Sequence, residues 1–258
     1  MVSIITPMYK GAEFVAATIE SVINQTEQDW EMIIVDDCSP DNGASAAIVK
    51  QYAEKDTRIK LIQLRENRGS SGARNEAMRH AQGRYFAFLD SDDIWDADYL
   101  STMLMHIASN KNKNAAIFFS GYRRMDSICS KEILPPYKYS GIKNNHTILF
   151  NCPIFPSATI LDTSKLKEKI LFREELRNLR DDWVFWTDIM RQDLVAVGHK
   201  DILVNYRMRD NSLTSSKNKM IKATWNMYHN IFKINTFISF IYLFLWAVNG
   251  VIKYRRIR

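Results

Sequence analysis

Four short apolar runs early in the chain constrain its fold more than any other feature. They are residues 2–6 (VSIIT), 32–35 (MIIV), 59–64 (IKLIQL) and 85–89 (YFAFL). Each has strand length and is rich in β-branched or aromatic side chains. Pro7 is the expected stop of the first run. Helical patterns lie between the runs. Residues 13–24 place Phe14, Ala17, Val22 and Ile23, with Ile19 between, close to one helical stripe. Residues 42–55 read as a second helix. A third follows the glycine-bearing segment 67–72 (NRGSSG) and runs to about Ala81, with Gly83 as its stop. Apolar strands alternating with amphipathic helices imply a parallel sheet covered on both faces. In such sheets ligands bind beyond the carboxyl ends of the strands.

Three polar clusters stand at those ends: residues 6–9 (TPMY), Asp36-Asp37, and residues 90–93 (DSDD). Their shared placement points to one composite site. In an extended segment, side chains two apart point the same way, which directs Asp90 and Asp92 to one spot. Two converging carboxylates repel each other and resist desolvation. A hard divalent cation relieves both problems, and such a metal commonly shares its remaining positions with water and substrate phosphates. The local pattern is therefore an Asp-x-Asp clamp for a metal–diphosphate. The alternative is an acidic turn capping the next helix, which starts near residues 96–98. Arg74 falls in the expected first turn of the third helix, where a cation suits a diphosphate; it also reads as an ordinary surface arginine.

Composition narrows the function class. A chain of 258 residues with 46% apolar content supports one large domain, or one domain with an appendage. The formal charge is 35 − 29 = +6, and Lys253, Arg255, Arg256 and Arg258 crowd the last six residues. The excess is thus partly a basic tail, and no nucleic-acid partner is expected. Cys38, Cys129 and Cys152 are odd in number and form no Cys-x-x-Cys pair, which fits a reducing compartment better than a zinc site or a disulfide framework. His80, His106, His146, His199 and His229 fall in no metal-binding spacing. The segment MVSIITPMYK has neither a basic n-region nor a long apolar stretch, so no signal peptide is expected.

Three separated blocks, IITPMYKGAEFVAATIESVINQT, IIVDDCSPD and NRGSSGARNEAMRHAQGRYFAFLDSDD, resemble the family 2 glycosyltransferases, in the family's order and over about the first hundred residues. The resemblance implies an α/β GT-A fold: Rossmann-like, a mostly parallel sheet flanked by helices. It also implies a nucleotide-sugar donor, here a UDP-sugar, and a divalent metal, Mn2+ or Mg2+. Carried over by motif, Thr6, Pro7, Tyr9 and Asp37 line the uridine pocket, Arg74 touches the donor phosphates, Asp90 reaches the ribose or sugar, and Asp92 holds the metal. The chain departs from the pattern at Cys38, where glycine is common, and at Lys10, where asparagine is common.

The second half is less patterned. Residues 115–119 and 158–161 are strand-like, and 125–150, with Pro135-Pro136, reads as an acceptor-facing loop. Asp181-Asp182 precedes an aromatic-rich helix; alone, the pair reads as helix capping. Beside the family pattern it resembles the Glu-Asp-Trp segment that supplies the catalytic base, which puts Asp182 in that role. Residues 202–209 form a further strand leading into a segment that resembles the one closing over the donor phosphates. Histidine is common there where Arg209 stands, so a histidine metal ligand is not supported, and Arg207 or Arg209 is left to clamp the diphosphate.

Nineteen uncharged residues, 234–252, separate Lys233 from Lys253. Asn235, Ser239, Tyr242, Trp246, Asn249 and Lys253 form one stripe on a helix there. The expectation is an in-plane amphipathic helix, its Phe/Ile/Leu face in the acyl boundary, its Trp and Tyr at headgroup level and its basic tail on anionic lipid. A helix packed on the catalytic domain is the alternative. The expected organisation is a catalytic domain over 1–220, with a nucleotide-sugar half (1–110) and an acceptor half (111–220), then a membrane-associating helix and tail over 221–258. The resulting reading is an inverting, metal-dependent hexosyltransferase at the cytoplasmic face of the membrane. It would act on a lipid-linked or polysaccharide acceptor in surface-glycan synthesis. A non-catalytic nucleotide-sugar-binding module remains open, as does a sugar nucleotidyltransferase, although the segment after the first strand is poor in glycine for the latter.

Overall fold

The computed structural model describes residues 1–176, 179–208 and 217–255, with backbone alone at 217–218 and 249–255. Its first half is the expected parallel unit. Strands β1 (Val2–Met8), β2 (Trp30–Asp36), β3 (Ile59–Gln63) and β4 (Tyr85–Phe88) lie side by side in the order β3-β2-β1-β4. Helices α1 (Val15–Ile23), α2 (Ala44–Ala53) and α3 (Gly69–His80) connect them. Successive residues of a strand face opposite ways, so β1 feeds two cores. Ile5 joins the one under α3, while Val2 and Ile4 join the one under α1.

β1 does not stop at Pro7; it continues to Met8 in register with Asp36. The Asp37 amide donates to the Met8 carbonyl, so the backbone groups of Met8 face β2. Those of Pro7 face the other side, where pairing with β4 has ended at Ile5 and Phe88. The missing proline N–H therefore falls where no ladder bond is needed. Gly83 also does more than end a helix. Its amide donates to Ser3 Oγ at 2.7 Å, and a Cβ there would stand 2.8 Å from the Met1 carbonyl oxygen and the Ser3 nitrogen. Only glycine lets the chain approach β1 so closely on its way into β4.

The second half extends the same sheet with mixed polarity. After β5 (Ile94–Trp95) and α4 (Tyr99–Ser109) come β6 (Ala115–Met125), β7 (Glu132–Tyr137), β8 (Ile142–Lys143) and β9 (Thr159–Asp162). Helix α5 (Asp181–Met190) and β10 (Val195–Arg207) follow. The sheet continues from β4 as β9-β6-β10-β5, and β9 runs antiparallel to both β4 and β6. Residues 125–150 are not simply loop: β7 pairs with β6 and β8 with β10. Pro135-Pro136 reads as a breaker in sequence, yet proline is tolerated on an edge strand such as β7.

Helix α6 (Lys217–Asn226), a short π-helical turn (Met227–Ile231) and α7 (Thr236–Arg255) close the described chain. They share the main core: Met227 and Tyr228 are fully buried in it, and Tyr242 and Trp246 pack against it. Ser239 is buried too. Of that stripe, Ser239, Tyr242 and Trp246 face the domain and not lipid headgroups, Tyr242 having ring partners there in Tyr228 and Phe150, while Asn235 is exposed. The opposite face stays open, with Phe237 76% and Phe244 68% exposed and Phe240 beside them. No helix among the described residues is long and apolar enough to cross a membrane.

Candidate active site

Helix α3 is the hub on which the polar clusters meet. Gly69, at φ +73°, turns the chain so that the amides of Arg68 and Gly69 both donate to the Asp37 carboxylate. Asp37 is thus fixed at the start of α3, where orphan amides favour an anion. Burial still pushes its carboxyl above the usual range, with the neighbouring Asp36 adding to the rise. Along the same helix, Arg68 makes a two-pronged pair with Glu174 (3.0 and 2.6 Å). Asn75 exchanges hydrogen bonds with the backbone of Phe172. These contacts fasten the first half to the segment that leads into α5.

Arg74 joins the two acidic clusters. Because α3 begins at Gly69, Arg74 lies in its second turn and not its first, and its side chain is nearly buried. It donates to Asp90 at 2.6 Å and stands 3.6 Å from Asp181. Asp181 also accepts from Ser71 at 2.7 Å. An arginine paired inside the molecule in this way is a strut between carboxylates, which neither a surface arginine nor a free phosphate ligand would be.

Residues 90–93 are a turn and not an extended segment: the Asp93 amide donates to the Asp90 carbonyl at 3.1 Å. The alternation that directs Asp90 and Asp92 to one spot therefore does not hold. Asp90 goes to Arg74, Asp92 is partly buried, and Asp93 turns inward. Asp93 accepts from Ser157 Oγ and from the Arg207 amide. Complete burial, then Asp92 and Asp90, push its carboxyl far up. Arg207 is buried as well: its guanidinium donates to the carbonyls of Asp92 and Ser127 and lies over the Phe14 ring. In this structure it holds the turn together. Arg209 lies outside the described residues.

The remaining nucleotide candidates line the end of β1. Thr6 and Pro7 are buried, and the Thr6 hydroxyl has no hydrogen-bond partner among the described residues. Tyr9 stands at the rim, 46% exposed. Lys10 and Cys38 both have left-handed backbones, at φ 52° and 55°. These are conformations that asparagine and glycine adopt most easily, which accounts for the residues common in the family at both places.

Asp181 and Asp182 open α5, which suits carboxylates, but Asp182 does not act as a plain cap; its Oδ1 accepts from the next amide, Trp183, at 2.8 Å. Burial, and then Asp181, lift its carboxyl to about 6 against the pull of Arg180 and Arg74. A carboxylate poised there can take up a proton at neutral pH. Sequence reasoning missed Ser71, Asn75, Glu174, Asp93 and Arg180; of these, only Asp93 and Arg180 carried a signal, as neighbours of a motif. Among the described residues no three His, Cys, Asp or Glu converge to hold a metal. With Asp90 bonded to Arg74, the donor set fits a hard cation held by Asp92 and shared with a diphosphate and water, not a protein-caged ion.

Comparison with known proteins identifies the family. The profile described as Glycosyl transferase family 2 matches residues 3–163. TuaG of Bacillus subtilis, named for teichuronic acid biosynthesis, is 33% identical over 99% of this chain and 97% of its own. The Escherichia coli UDP-Glc:alpha-D-GlcNAc-diphosphoundecaprenol beta-1,3-glucosyltransferase WfgD is 32% identical over 98% of this chain and 95% of its own. Among solved structures, S. aureus TarS 1–349 in complex with UDP superposes with a TM-score of 0.69 at 20% identity, covering 95% of this chain and 70% of that one. The Pyrobaculum calidifontis mannosyltransferase PcManGT, in complex with GDP-Man and Mn2+, gives 0.68 at 16% identity, covering 97% and 73%. The chain therefore belongs to glycosyl transferase family 2 and has the GT-A fold.

Proposed function

We propose that this enzyme transfers a sugar from a UDP-sugar, with inversion, to a lipid-linked glycan in surface-polysaccharide synthesis. One observation carries the reading: through Arg74 the donor-side Asp90 and the acid pair Asp181–Asp182 belong to one site. Thr6, Pro7, Tyr9 and Asp37 receive the nucleoside, with Tyr9 at the rim offering its ring to the base. Asp90 orients the sugar–ribose portion, and Asp92 holds the divalent ion. Bound there, Mn2+ or Mg2+ would neutralise charge on the departing diphosphate. Arg209 is assigned to the same diphosphate by its place in the family pattern. Asp182 accepts the proton of the acceptor hydroxyl as that oxygen attacks the anomeric carbon and the bond to the diphosphate oxygen breaks. A single displacement without a covalent intermediate inverts the configuration. Arg74 holds both carboxylate clusters in place and does not meet the phosphates.

The acceptor class follows from relatives such as WfgD, whose name specifies a diphosphoundecaprenol-linked acceptor. The open Phe237 and Phe244 face of α7 supports a membrane-surface role on the cytoplasmic side, with the described part of the segment 221–258 packed by its inner face on the catalytic domain and not forming a unit of its own. The test is transfer from a panel of UDP-sugars to a synthetic GlcNAc-diphospholipid, with the product's anomeric configuration read by NMR. Transfer from one donor with inversion is expected. Release of UDP from none of them, with Mn2+ present, would leave only a binding module.

A further inference from the structure

Arg180 has no part in the proposed chemistry, yet it is built in with unusual care. It stands directly before α5, two residues from Asp182, with a left-handed backbone at φ 65°. For a residue other than glycine that conformation is unfavourable and persists only where the surroundings fix it. Here three elements do so. The guanidinium lies 5.3 Å over the Trp183 ring of α5 and 4.8 Å over the Trp246 ring of α7. Its Nε donates to Thr224 Oγ1 of α6 at 3.0 Å. Among the described residues no carboxylate pairs with it in a salt bridge, so its charge is left to act on its surroundings.

Those surroundings are few. The charges that act on Asp182 are Asp181 and Arg180 from its own element and Arg74 from α3; Arg180 in turn acts on Asp182, the half-buried Cys152 thiol and the Tyr228 hydroxyl. Asp181 is already held by Ser71 and Arg74. Arg180 is thus a cation two residues from Asp182 that draws its carboxyl down, and two aromatic rings and a threonine decide where that charge sits. Two of those three come from the C-terminal helices.

We infer that Arg180 is a positioning residue for Asp182, and that Trp246 of α7 and Thr224 of α6 hold it there. The C-terminal helices then serve two purposes on two faces. The inner stripe completes the catalytic wall, while the outer phenylalanines remain open. The inference rests on Asp182 being the base.

The experiment uses the full chain, the UDP-sugar found to be a donor and a water-soluble acceptor, so that membrane attachment does not enter. Turnover is followed against pH in R180M, W246L and T224V, with D182N and the outer-face variant F244S as references. The acid limb of wild-type turnover is expected near pH 6. Losing or releasing a neighbouring cation favours the protonated carboxyl, so the limb should move to higher pH, furthest in R180M. A displacement of about one unit lowers turnover at pH 6 about fivefold. KM for the donor should not change, and F244S should behave as wild type. An unmoved limb in W246L and T224V, in protein of unchanged circular dichroism, overturns the inference even if R180M does not fold. If D182N turns over like wild type, the assignment of the base fails and the role of Arg180 falls with it. If D182N is inactive while the other limbs stay put, only the inference is wrong.

Discussion

The two halves of the molecule place their carboxylates by different means. In the first half, Asp37 and Asp90 follow directly from parallel strands, and α3 receives them with its first amides and with Arg74. The position of each is a consequence of local pattern. In the second half, Asp181 and Asp182 are positioned from afar: Ser71 and Arg74 come from α3, and Arg180 is held by α6 and α7. The nucleotide side is therefore a regular unit that tolerates change away from its strand ends. The acceptor side depends on contacts between segments remote in sequence, so distant changes should reach it.

The largest effect expected is on the donor side. Chelation should reduce turnover to background, and D92N should weaken UDP binding only when metal is present, as titration calorimetry with and without Mn2+ would show. Full turnover in excess chelator would remove Asp92 from metal binding. Next is D182N, which should lower turnover by roughly 10²–10⁴ and keep donor affinity. It also bears on stability. The Asp182 carboxyl is raised in the folded state, so its favourable contribution is complete below its ordinary value of 3.8 and is lost as pH rises through about 6. At pH 8 the asparagine variant should therefore melt at a higher temperature than wild type, with the gap closing toward pH 4. A loss of stability at pH 8 would make Asp182 a simple helix cap.

The third effect tests whether remote contacts matter on one face of α7 only. Replacing Phe237 and Phe244 with serine removes outward apolar surface worth about 1.5–3 kcal/mol per side chain when fully buried. Sedimentation with vesicles of anionic phospholipid should fall at least about tenfold, while turnover on a soluble acceptor holds. Equal vesicle binding by both proteins would deny the outer face a membrane role. The smallest effect belongs to the regular half. C38G should relieve a left-handed backbone and raise stability by about 0.5–1 kcal/mol in chemical denaturation. No gain there would mean that Cys38 is not strained.

The parallel unit, the polar residues just at or beyond the ends of β2 and β4, and the acidic pair that opens α5 were legible in the sequence, because each is encoded within a few residues: apolar runs, helical stripes and punctuation by glycine and aspartate. The sequence also marked α7 as two-faced. Which face turns inward was decided only by tertiary contacts, because Tyr242 and Trp246 find ring and cation partners on the domain that no pattern within the helix reveals. The same holds at Pro7, at Pro135-Pro136 and at Arg74. A proline reads as a breaker until the neighbouring strand is known to have ended or never to have been there. An arginine near a helix start reads as a phosphate ligand until two carboxylates, sixteen and 107 residues away in the chain (90 − 74 and 181 − 74), are found against it. Charge in a low-dielectric interior is settled by whichever opposite charge the fold brings near, and that pairing is not written in any one stretch of sequence.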